Sequence, residues 1–151
     1  MALNRRALNG TTMIRDADLV GYWKITKMEV WDQAYVDLVV PGFIELEIKD
    51  GYLMGQFQFG TVVGWLDCRL RDVGGESYVE WSWEGQNDKD PGCGRGWARL
   101  MDSKLVGRIY VHCSDDSAFE AEKRLRPTKH HGNRRPPDNV QVDRPSSDRK
   151  D

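Results

Sequence analysis

The run Phe43–Lys49, Asp50-Gly51, Tyr52–Phe59 constrains this chain more than any other stretch. Ile44, Leu46 and Ile48 alternate with Glu45, Glu47 and Lys49. That period of two places one face of a β-strand on a core and the other in water. Asp-Gly then marks a tight hairpin, because both central residues of such a turn take positive φ. The return run sets Leu53, Gly55, Phe57 and Phe59 against Gln56 and Gln58. An isolated hairpin is marginal in water, so this unit requires further strands to cover its apolar face.

The rest of the chain supplies them. Similar runs cover Leu19–Val30, Val62–Arg71, Ser77–Glu84, Arg95–Met101, Lys104–His112 and Ser117–Leu125, making eight in all. Gly74-Gly75, Asp102-Ser103 and Cys113–Asp116 turn the chain between neighbours; residues 31–42 and 85–94 read as longer connections. No helical period persists for a helix of ordinary length. Eight consecutive hairpin-linked segments must hide their edges. The fold class read from this pattern is all-β, an eight-stranded antiparallel up-and-down barrel, with a two-sheet sandwich as the competing architecture. Residues 1–18 read as a loose lead-in and 19–126 as the barrel domain. Residues 127–151 read as a disordered polar tail, since four of the six prolines fall there and apolar residues nearly vanish.

A chain of 151 residues can bury a core without metal or disulfide support. Its net charge of −2 hides an acidic body and a basic tail, and an acidic body argues against a nucleic-acid partner. No run approaches the ~18 apolar residues of a membrane span. Met1–Arg6 lacks the apolar stretch of an export signal. The odd count of three cysteines, Cys68, Cys93 and Cys113, points to reduced thiols and a cytoplasmic location. No cofactor or metal is expected: the cysteines lack zinc spacing, and Asp88-x-Asp90 and Asp115-Asp116 lack that of a calcium loop.

Gly21-Tyr22-Trp23 opens the first strand, and Arg124 and Arg126 stand at the end of the last. In this the chain resembles the lipocalin-like, or calycin, barrels. The resemblance implies that Gly21 and Trp23 form a structural plug, with the indole sealing one end of the barrel. It also implies a basic residue packed over that indole, Arg124 or Arg126 by count. Phe57-Gln58-Phe59-Gly60, Trp81-Ser82-Trp83-Glu84-Gly85 and Gly94-Arg95-Gly96-Trp97-Ala98 are similar to runs in small bacterial barrel proteins with no assigned activity. That likeness implies a fold and no chemistry.

If Trp23 marks the closed base, the connections 31–42, 60–63, 85–94 and 112–117 gather at the opposite mouth. Three of them are long, as a ligand-binding end requires. The candidate ligand-binding residues are Phe57, Phe59, Trp81 and Trp83 as an aromatic wall, with Glu84, Arg95 and His112 at the mouth. The expected partner is a small apolar or aromatic ligand; any protein partner is left open. Asp67 with Arg69, and Glu80 with Glu84, form either an inward ion-pair network or surface cross-strand pairs. Three functional readings follow. One is a small-molecule-binding barrel. The second is a structural or protein-interaction barrel with a filled core and no ligand. The third, set below both, is an enzyme using His112, Glu84 and Asp116, although no nucleophile elbow, phosphate loop or metal-ligand motif is present.

Overall fold

A computed structural model describes residues 14–127. The lead-in before residue 14, and nearly all of the stretch expected to be disordered, lie outside the described residues. The elements are α1 (Asp16–Leu19), β1 (Gly21–Met28), α2 (Gln33–Val36), β2 (Phe43–Lys49), β3 (Tyr52–Phe59), β4 (Val62–Val73), β5 (Glu76–Asn87), β6 (Asp90–Met101), β7 (Lys104–Val111) and β8 (Asp116–Arg124). The strands pair in chain order and β8 returns to β1, which closes an antiparallel up-and-down barrel.

The base hairpins follow from turn chemistry. Asp50-Gly51 (φ 54° and 85°), Gly74-Gly75 (61° and 84°) and Asp102-Ser103 (51° and 65°) all turn through positive φ. That handedness matches the twist of the flanking strands. Alternation then sorts the side chains. Ile44, Leu46, Phe57, Phe59, Leu66, Val79, Trp81, Trp83, Leu105, Ile109, Phe119 and Ala121 all turn inward into one buried cluster. Burying such side chains stabilises by about 1.5–3 kcal/mol each.

Two expectations are corrected. The first strand begins at Gly21, because Asp16–Leu19 forms α1 and drives the buried Leu19 under the base. Residues 85–94 are not a long polar loop. β5 and β6 stay paired to Asn87↔Asp90, leaving a two-residue turn at Asp88-Lys89. Pro91 fits because β6 has there outrun β7, whose last paired residue on it is Gly94↔Val111. The mouth therefore carries one long connection, between β1 and β2.

Candidate functional site

At the base, the indole of Trp23 is buried and is covered by a cation other than the expected arginine. Trp23 is 3% exposed, and its Nε1 donates to the Leu19 carbonyl at 2.9 Å. Lys123 Nζ, not Arg124, lies over the indole at 4.8 Å from the ring centre. Strand parity explains the correction. Lys123 is the residue paired with Trp23, whereas Arg124 pairs with Tyr22 and turns outward to bind Glu122 at 2.9 Å. Arg126 binds Glu45 at 2.8 Å. Gly21 takes a φ of 139°, and a Cβ there would press on Lys123 at 2.7 Å.

The four aromatic wall residues all lie in the buried core, three of them in mutual contact. Phe57 stacks on Phe59 (5.6 Å) and meets Trp83 edge-on (5.1 Å), while Trp81 leans on Phe119 (6.4 Å). These rings are seated on bare backbone. A Cβ on Gly64 would stand 2.6 Å from Phe57 and 2.7 Å from Trp83; one on Gly94 would stand 2.7 Å from Trp83 Nε1; one on Gly96 would collide with the Trp81 ring at Nε1. The glycines of β4 and β6 thus make room for the indoles, and the indoles occupy that room. Trp83 Nε1 donates to the Tyr110 carbonyl at 3.0 Å. Trp81 Nε1 is buried and has no hydrogen-bond partner among the described residues, at a desolvation cost of about 1–3 kcal/mol.

The mouth is capped by the β1–β2 connection. Val36 of α2 is fully buried, and Trp31 packs on Phe59 at 4.9 Å. Tyr35 Oη lies 3.1 Å from Thr61 Oγ1 and accepts from the Thr61 N–H at 3.2 Å. Lys24 Nζ donates to Asp37 at 2.9 Å, and Gln33 and the Gly42 N–H also donate to that carboxylate. Burial works against ionised Asp37, but the Lys24, Gly42 and Gln33 hydrogen bonds and the Lys24 charge outweigh it. They hold the carboxyl below its ordinary range. Two carboxylates of the mouth connection are thus structural: Asp32 caps α2 through the Tyr35 N–H at 3.0 Å, and Asp37 anchors it. Among the described residues no group of His, Cys, Asp and Glu could hold a metal ion.

A pH prediction follows. The depressed Asp37 value means that its contribution is complete above the unfolded carboxylate value of 3.8 and is lost as pH falls through the lower folded value. Asp37→Asn is expected to cost about 1–2 kcal/mol at neutral pH. Wild type and variant should converge in urea midpoint as pH is lowered below about 4. A gap that persists in acid would refute the assignment.

Glu84, Arg95 and His112 are exposed on the outside of the wall, so they do not join the four inner rings in one site. Arg95 and His112 instead line a groove of about 820 Å³ on the outer face of β4–β7. Glu84 sits on the same face, opposite Cys93. Asp67–Arg69 (3.0 Å) and Arg71–Glu80 (2.7 Å) are outward surface pairs in the same groove. Trp97, Tyr110, Tyr78 and Ser82 also line it, and none of them was among the candidate site residues. Their signal was parity: each alternates with an inward residue on its own strand.

The enzyme reading gains no support. Asp116 is held by Arg108 at 3.0 Å. The His112 backbone N–H donates to the Cys93 carbonyl at 2.8 Å, but no bond joins the imidazole to the thiol. Burial, with Asp67 and Asp16 nearby, pushes the Cys68 thiol up to about 12, so it is no nucleophile at neutral pH. Among the described residues no helix is long and apolar enough to cross a membrane. Comparison with family models, curated proteins and solved structures gives no match.

Proposed function

We propose that this protein is a non-enzymatic binding module whose barrel interior is a filled core and whose working surface is the outer face of β4–β7. The observation that carries the reading is the seating of Phe57, Trp81 and Trp83 against Gly64, Gly94 and Gly96, which takes up the space a lipocalin-like ligand would need. The closed eight-stranded barrel is compatible with a lipocalin-like fold, and the filled interior shifts the expected ligand from inside to outside. Surface-exposed free thiols at Cys93 and Cys113 fit a reducing, cytoplasmic setting.

Native mass spectrometry of the chain isolated from its natural host tests this, with nuclear Overhauser contacts to place any retained molecule. The expected outcome is a bare chain, or a molecule in contact with Trp97 and Tyr110. A molecule in contact with Phe57, Phe59 and Trp83 would overturn the proposal and restore the interior as the binding site.

A further inference from the structure

We infer that the outer groove is a site for a small planar aromatic carboxylate, with Arg95 as the partner of its charge. The inference rests on the outer-face reading above and names the ligand class for it.

Charge comes first. Of the groove's ionised side chains, Asp67 is matched by Arg69 and Arg71 by Glu80. Arg108, on the next strand, is matched by Glu29 and Asp116. Arg95 makes no hydrogen bond or ion pair among the described residues. Its guanidinium offers five N–H donors in a fork suited to a carboxylate.

Register supplies the rest. Arg95 pairs across the sheet with Ser82 on one side and Tyr110 on the other. Neither hydroxyl makes a side-chain hydrogen bond among the described residues, although the Tyr110 phenol lies within electrostatic reach of Arg108, so both are left to donate to a ligand. Trp97 shares its strand and face two residues on, braced edge-on by Tyr78 at 6.4 Å. Trp97 and Tyr110 both line the groove beside Arg95. A flat molecule laid in the groove would meet these rings while its anion met Arg95. The volume, about 820 Å³, falls in the range of small-molecule sites. One unmatched positive charge suits a monoanion, and exposed Glu84 beside the groove disfavours a dianion. A carboxylate therefore fits better than a phosphate.

The test is a titration of ¹⁵N-labelled full-length protein with 2-naphthoate, 2-naphthalenemethanol, acetate and inorganic phosphate in separate arms. Naphthoate should move the amides of residues 94–97 and 110–112 and the Trp97 indole N–H. The neutral alcohol, acetate and phosphate should each bind at least ~10-fold more weakly. Arg95 is exposed, so Arg95→Gln should keep the native spectrum. It should lower naphthoate affinity by ~10-fold or more and leave the alcohol unchanged. Equal binding of naphthoate and the alcohol, or naphthoate binding untouched by Arg95→Gln, would overturn the carboxylate assignment alone. Silence in every arm at millimolar concentration would do the same. Shifts confined to the Trp83 indole and the Phe57 and Phe59 rings would overturn both this inference and the outer-face reading.

Discussion

Trp23→Ala should lower stability by about 3–5 kcal/mol, measured as a fall in the urea midpoint with an unchanged slope. The ring is 3% exposed and does three things at once. It fills the base of the interior, its Nε1 ties down the Leu19 carbonyl at the end of α1, and its face carries Lys123 at 4.8 Å. Each loss has a different size, and graded variants separate them. Trp23→Phe keeps most of the volume but frees the Leu19 carbonyl, so it should cost about 1–3 kcal/mol. Lys123→Met removes the cation while keeping an apolar stem, and should cost about 0.5–1 kcal/mol. A near-neutral Trp23→Ala would mean that the base is closed by something other than this ring.

Gly94→Ala should be nearly as damaging, at about 3 kcal/mol, although it adds one methyl group. The added Cβ would collide with the Tyr110 backbone carbonyl and stand 2.7 Å from Trp83 Nε1. Backbone cannot swing aside as a flexible side chain can. The strain therefore falls on the β6–β7 ladder and on the hydrogen bond from Trp83 to Tyr110. Gly74→Ala is the control. It has a φ of 61° but nothing within 4 Å of the added atom, so it should cost about 1 kcal/mol from backbone conformation alone. If the two glycines proved equally tolerant in chemical denaturation, the interior would not be packed as described.

The hairpin Phe43–Phe59 was legible because two local signals agree, strict alternation and an Asp-Gly turn. The barrel followed from counting such units. Trp23 stood out through the resemblance of Gly21-Tyr22-Trp23 to the Gly-x-Trp run of lipocalin-like barrels. Its cation was misassigned by one position, although parity held the answer: Phe119, Ala121 and Lys123 share a face, and Arg124 does not. The stretch 85–94 misled for a physical reason. Gly85, Gly92 and Gly94 are turn formers in isolation, but here they continue the strands. Gly94 leaves room for an indole that belongs to the neighbouring strand. No local window contains that information. The outer groove was illegible for a related reason. Asp67, Ser82, Arg95 and Tyr110 form one row only when the registers of four strands are known, and register is a long-range property.

Tyr22 pairs with Arg124, so the described chain enters and leaves the barrel on adjacent strands. In the ring order these two strands lie across the barrel from β4 and β5. The start of β1 and the end of β8 therefore both lie beside the stopper, at the rim opposite the Asp88-Lys89 turn. A linker joining Gly21 directly to Arg124 would allow the polypeptide to be cut open at Asp88-Lys89, giving a circular permutant of the barrel that keeps every ladder and frees the far rim for attachment.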